Sequence, residues 1–233
     1  FGAVSPFRRA GTFAEFVCVT PAEVASTPAS VTDEHAAALP VAAGSAVQAL
    51  GDEGRVAPGM RVLVNGGAGG VGHYAVQYAH HLGAHVTATC GPDNVAFVRE
   101  LGADEVLDYT REDYAAATVP FDVIFDTTGH ASWRACRRVL ALDGVYVNTS
   151  PDAASVVTTL AEKVAARLAG RQRVVAFVLK PRAEAWRRLA TLAEASAIVP
   201  HVRATIGLAD VAEAERQMET GHGRGKIVVL PSR

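Results

Sequence analysis

Between residues 61 and 149, short apolar runs alternate with stretches whose apolar positions recur every three or four residues. The runs RVLVN (61–65), HVTATC (85–90), EVLDY (105–109), FDVIFDTTG (121–129, a strand and its exit turn) and GVYVNT (144–149) read as strands. The segments 71–82, 94–101 and 132–140 read as helices. Strands separated by helices at this spacing make right-handed βαβ units, hence a doubly wound parallel sheet covered on both faces, an α/β fold. Upstream, DEHAAALPVAAGSAVQAL (33–50) predicts a helix interrupted at Pro40. GTFAEFVCV (11–19) alternates Phe13, Phe16 and Cys18 with smaller residues and predicts a strand that needs sheet neighbours to bury it.

Five of the seven residues from Gly66 to Gly72 are glycine. They lie between the strand at 61–65 and a helix carrying Val71, Ala75, Val76 and Ala79 on one face, and Gly67, Gly69 and Gly72 match G-x-G-x-x-G. In that context one glycine makes the tight turn, one admits a pyrophosphate to the backbone, and one lets helix and strand pack closely. The helix-start amides then face the phosphates. A turn that merely packs is the competing reading. The second strand ends in Cys90 and Gly91, with no carboxylate at its tip to hold ribose hydroxyls, which favours NADPH over NADH. Asp93 either repels a 2′-phosphate or caps the helix that follows, and the cap is the preferred reading.

Composition changes the picture by exclusion. The 233 residues are 49% hydrophobic and 20% charged, with net charge −2, so the chain can bury a proper core. It lacks the basic excess of a nucleic-acid partner. Arg134, Arg137 and Arg138, and Arg167, Arg171 and Arg173, read as solvated helix faces. No apolar run is long enough to suggest a membrane span. Cys18, Cys90 and Cys136 are few, odd in number and far apart, which suits a reducing, cytoplasmic setting.

VLVNGGAGGVG (62–72), HVTATCGPDN (85–94), FVRELGADEVLDYTRED (97–113), FDVIFDTTG (121–129) and GHGRGKIVV (221–229) together resemble the zinc-independent quinone oxidoreductase branch of the medium-chain dehydrogenase/reductase superfamily. The resemblance runs over 1–229. It implies a Rossmann domain at 45–179 between two pieces of a GroES-like β domain, a remnant at 1–44 and a return segment at 180–233, and thus an N-terminally shortened chain. The strands at 11–19 and 225–230 would then be remnants of a sheet whose other strands are missing.

The resemblance further implies that Ala68, Gly69, Gly70 and Val71 lie against pyrophosphate and nicotinamide, with Gly91 and Tyr109 near the adenosine 2′-phosphate. Ser45 stands near the nicotinamide, and Phe177 and Val178 fall on a strand lining that end. Tyr109 fits ordinary strand packing equally well. Relatives often carry Ser with Arg or Lys in the loop that here reads Gly91, Pro92, Asp93, Asn94, so the sequence leaves NADH open. Homodimerisation through the sheet edge, near GVYVNT, is also implied.

Zinc-dependent cousins carry a catalytic cysteine in the stretch that here reads LPVAAGSAV (39–47), and neither C-x-x-C nor H-E-x-x-H occurs. His80, His81 and His85 read as a solvated helix end rather than ligands, so no metal is expected. No tyrosine has Lys four residues on, which removes the short-chain Tyr-x-x-x-Lys pattern. Two functions follow: NAD(P)H-dependent hydride transfer to a quinone or α,β-unsaturated carbonyl, with no catalytic side chain nameable, or a non-catalytic nucleotide-binding module.

Overall fold

A computed structural model describes residues 1–4, 11–149, 161–168, 170–219 and 223–231. Six strands, β1 (Arg61–Asn65), β2 (His85–Cys90), β3 (Glu105–Asp108), β4 (Phe121–Asp126), β5 (Leu140–Asn148) and β6 (Arg173–Ala176), form one sheet in the order β3-β2-β1-β4-β5-β6. Every pairing is parallel. The chain reverses its winding between β1 and β4, and that switch point opens a crevice at the carboxyl ends of the strands.

The period-2 geometry of the strands sorts their side chains onto two faces. Val62, Val64, Val86, Ala88, Val123, Phe125, Val145 and Val147 enter one apolar core, while Leu63, Ile124 and Tyr146 enter another. The first core is closed by α2 (Pro40–Val47), α3 (Gly72–His81), α4 (Val95–Glu100) and the later α7 (Ala183–Glu194), while α1 (Asp33–Ala38) packs against α2. The second is closed by the short α5 (Trp133–Cys136) and by helix α6 (161–168). Beyond the main sheet, β7 (Val202–Gly207) pairs in parallel with β8 (Lys226–Leu230), and α8 (Val211–Glu219) connects them.

Several expectations need correction. Residues 11–19 form no strand: they are exposed throughout, with Phe16 at 90%, and without a paired neighbour an aromatic alternation has no ladder to join. The terminal strand does have a partner, β7. The helix expected at 132–140 ends at Cys136, because Leu140 already begins β5 and pairs with Phe121. GVYVNT is not a sheet edge: it lies in β5, between β4 and β6, and the edge strand is β6. The helix over 33–50 is broken as expected at Pro40, which takes the first position of α2, where its missing N–H costs nothing.

Candidate functional site

The glycine loop leaves β1 at the switch point. Gly66 has φ +86°, the left-handed turn that reverses the chain, and a β-carbon at Gly72 would lie 2.0 Å from the Gly66 carbonyl oxygen. Only glycine allows that approach of helix to strand exit. A β-carbon at Gly67 would meet Ala88 Cβ at 2.9 Å, so this residue fits under β2. At Gly69, by contrast, a β-carbon would meet the Gly66 carbonyl oxygen at 3.4 Å, an ordinary van der Waals distance. Gly70 faces Lys226, whose side chain lies within 3.6 Å of a β-carbon placed there. Ala68 is buried, Val71 is the N-cap residue of the ten-residue α3 without a side-chain cap bond, and in the first turn the His73 amide donates back to Gly69 O at 3.1 Å. The structure thus places Gly67, Ala68, Gly69, Gly70, Val71 and Gly72 in one turn between β1 and α3.

The turn is held from beneath by a buried polar network at the ends of β1, β2 and β4. Thr89 Oγ1 donates to Asn65 Oδ1 at 2.6 Å and accepts from the Gly66 amide at 3.0 Å. Asp126 is fully buried. Its Oδ1 accepts from Asn65 Nδ2 (2.9 Å), Thr128 N (3.0 Å) and Thr128 Oγ1 (2.8 Å), and its Oδ2 from Ala131 N and Tyr146 Oη, both at 3.2 Å. Those five donors replace the water a buried carboxylate loses. Burial and the Asp126 charge push the Tyr146 hydroxyl well above its ordinary pKa, so it stays a donor.

The residues expected near the adenosine lie at the β2 exit. Gly91 and Tyr109 are adjacent: a β-carbon on Gly91 would sit 3.1 Å from the Tyr109 hydroxyl. Tyr109 follows the last residue of β3 and is 54% exposed. Asp93 is not the helix cap. It sits in a 3-10 turn, Pro92–Asn94, and Asn94 is the N-cap residue of α4, with no side-chain cap bond. Sequence reasoning missed the cation here. Arg224 donates from Nε to Asn94 Oδ1 and from an Nη to the Asp93 carbonyl, each at 3.0 Å, and its guanidinium lies 4.7 Å from the centre of the Phe97 ring.

At the other end, Ser45 is buried on α2 and its hydroxyl donates to Val41 O at 2.7 Å. Phe177 and Val178 follow β6 rather than belonging to it; the Phe177 amide continues the ladder to Asn148 O at 2.8 Å. Phe177 is buried and Val178 is 55% exposed. Lys226 was also missed; burial lowers its pKa from the ordinary lysine value. Arg224 and Lys226 both lie in the GHGRGKIVV motif, but more than a hundred residues separate them from the loops they touch, a distance only the tertiary fold closes.

Among the described residues no group of three or more His, Cys, Asp or Glu converges as a metal-binding cluster. Burial pushes both the Cys90 and Cys136 thiols up to about 11, Asp108 adding to the first. His85 faces Asp104 and Glu105, and His80 packs under Gly102. All three cysteines are free. Among the described residues no helix is long and apolar enough to cross a membrane.

A parallel 3-2-1-4-5-6 sheet with a glycine cradle at its switch point defines a dinucleotide-binding oxidoreductase fold. The profile of the family described as zinc-binding dehydrogenase matches residues 101–229. The chain is 33% identical over 230 residues to the chloroplast envelope quinone oxidoreductase homolog of Arabidopsis thaliana, covering 95% of this chain and 69% of that one. It superposes on the quinone oxidoreductase from Coxiella burnetii with TM-score 0.74 at 30% identity, over 82% of this chain and 59% of the other. A mycobacterial protein, Rv1454c, solved in complex with NADPH, gives TM-score 0.73 at 25% identity, over 89% of this chain and 67% of the other. The chain therefore belongs to the zinc-binding dehydrogenase family of the medium-chain dehydrogenase/reductase superfamily, among its quinone oxidoreductases, and spans about two thirds of the length of these relatives.

Proposed function

We propose that the chain holds NADPH in preference to NADH, and that the whole protein reduces a quinone or α,β-unsaturated carbonyl without zinc. Arg224 is the observation that carries the cofactor choice: it puts a fixed guanidinium beside the loop after β2, where no carboxylate terminates the strand. Such a group pairs with a phosphate in charge-assisted hydrogen bonds. The α3 amides would hold the pyrophosphate, Lys226 would add a positive charge beside Gly70, and Gly91 with Tyr109 would flank the adenosine ribose. Phe177 and Val178, at the end of β6, would line the nicotinamide end and exclude water there.

Bound NADPH supplies a hydride, and an acceptor polarised by its own carbonyl needs no metal Lewis acid to receive it. The protein's contribution is then orientation and a dry cleft. We infer a small carbonyl-containing substrate, a Rossmann domain at 45–179, and a homodimer formed along the β6 edge rather than near GVYVNT. The NADPH complex of a relative supports the cofactor.

The test is oxidation of NADPH and NADH by the whole protein with a quinone and an enone, with and without a chelator. NADPH-dependent reduction insensitive to the chelator is expected. Tight NADPH binding without turnover would instead favour a sensing module, and activity lost to the chelator would overturn the zinc-free chemistry.

A further inference from the structure

His73 lies in the first turn of α3 and is fully buried, yet both ring nitrogens are occupied. Nδ1 lies 2.9 Å from Gly69 O, and Nε2 lies 3.3 Å from the amide nitrogen of His201. Because the His201 N–H can only donate, Nε2 accepts; because the Gly69 carbonyl can only accept, Nδ1 carries the proton. One tautomer satisfies both bonds. The imidazole thus joins the phosphate cradle to the chain entering β7.

Other contacts extend this link. Gln77, one turn further along α3, donates to Val199 O at 3.1 Å and accepts from Val199 N at 2.8 Å. His201 O accepts from the Lys226 amide at 2.8 Å, and the Gly225 amide donates to Ala68 O at 3.0 Å. The His201 ring packs on Phe97, centroids 4.6 Å apart, and Phe97 carries the Arg224 guanidinium on its face. The Ala68 carbonyl is thereby tied directly to the return segment, and the Gly69 carbonyl, which accepts from both the amide and the ring of His73, is tied to it through that ring.

We propose that His73 is a positioning residue of the dinucleotide site: by bridging Gly69 O and His201 N–H it sets the phosphate cradle and, through His201 and Phe97, the placement of Arg224 beside the loop after β2. The inference rests on the dinucleotide reading above. Loss of the His201 bond should therefore change cofactor preference, and loss of the Gly69 bond should weaken both cofactors. Asparagine places an amide where Nδ1 stands and keeps the first bond only; phenylalanine keeps the ring volume and neither bond. Gln77→Leu cuts the neighbouring link to Val199, and with it the Gln77 bond to the His73 carbonyl, but leaves both bonds of the imidazole in place.

The experiment titrates NADPH and NADH into the full chain and its variants by calorimetry, alongside side-chain 15N NMR of His73 in the ligand-free protein. His73→Asn should weaken NADPH about tenfold, the worth of one hydrogen bond, and leave NADH within about twofold. His73→Phe should weaken both about tenfold or more, and Gln77→Leu should shift both cofactors alike. The NMR spectrum should show a neutral ring protonated at Nδ1. Equal weakening of both cofactors by His73→Asn, or unchanged NADPH affinity in it, overturns the proposal. If His73→Phe does not fold, His73→Asn and the spectrum decide. If the parent chain binds neither nucleotide, the dinucleotide reading fails, and the linkage stands or falls on the ligand-free protein: an Nε2-protonated or doubly protonated ring, or unchanged hydrogen exchange at the His201 amide in His73→Asn, overturns it.

Discussion

Arg224 and Asn94 are joined by a hydrogen bond of 3.0 Å from Nε to Oδ1, which carries the closing strand's basic motif onto the loop that follows β2. Removing the guanidinium should therefore act on one cofactor more than the other. Arg224→Ala should weaken NADPH by about 10- to 100-fold, as expected for a charge-assisted hydrogen bond of about 1.5–3 kcal/mol, and NADH by much less. Competitive titration of the two nucleotides measures the ratio. Equal losses would place Arg224 outside the 2′-phosphate site.

Asp93 contributes its carbonyl, not its carboxylate, to that contact. Asp93→Arg should keep the Arg224 bond, remove a repelling charge and add a pairing one. NADPH is expected to tighten more than NADH; equal shifts in the two dissociation constants would show that the side chain at 93 does not face the phosphate.

The glycines of the cradle should separate stability from binding. A methyl group at position 72 cannot avoid the Gly66 carbonyl, so Gly72→Ala should cost on the order of 2–4 kcal/mol in chemical denaturation. A variant as stable as the parent would mean that the turn can open without penalty.

His73 links the site to pH. Burial is the largest cause holding its pKa at about 4 rather than 6.5, and the charged groups that face it, His201 and Lys226, lower it further. The native state then binds fewer protons than the unfolded state between those two values. The contribution is full above pH 6.5, falls as the pH drops toward 4, and amounts to on the order of 3 kcal/mol. Denaturation midpoints from pH 7.5 to 4 should fall more steeply for the parent than for His73→Asn, which has no such proton to take up. Parallel pH dependences would contradict it.

The parallel sheet and its phosphate loop were legible because their signals are local. The glycine run, its flanking strand and the apolar face of α3 all lie within 61–82. The strand at 11–19 misled for the opposite reason: alternation alone does not make a strand where no neighbour pairs with it. β7 leaves no signal of its own in the reading of the sequence, and the strand expected at Phe177 and Val178 stops at Ala176. Arg224 and Lys226 lie in GHGRGKIVV and His73 directly follows the glycine run, but their roles depend on contacts such as Arg224 with Asn94 and His73 with His201, across more than a hundred residues. Asp126 stands in FDTTG, whose pattern marks a strand exit and says nothing of five donors converging on one carboxylate.

The most direct test of the cofactor site is a calorimetric titration of NADPH into the full chain and into Gly69→Val, each with a thermal melt. A β-carbon at Gly69 meets no protein atom closer than 3.4 Å, so the fold should tolerate the substitution while the branched side chain fills the path of the pyrophosphate. The account predicts one NADPH per parent chain, no measurable binding in the variant, and closely similar melting midpoints. Unchanged NADPH affinity in a folded Gly69→Val would contradict it.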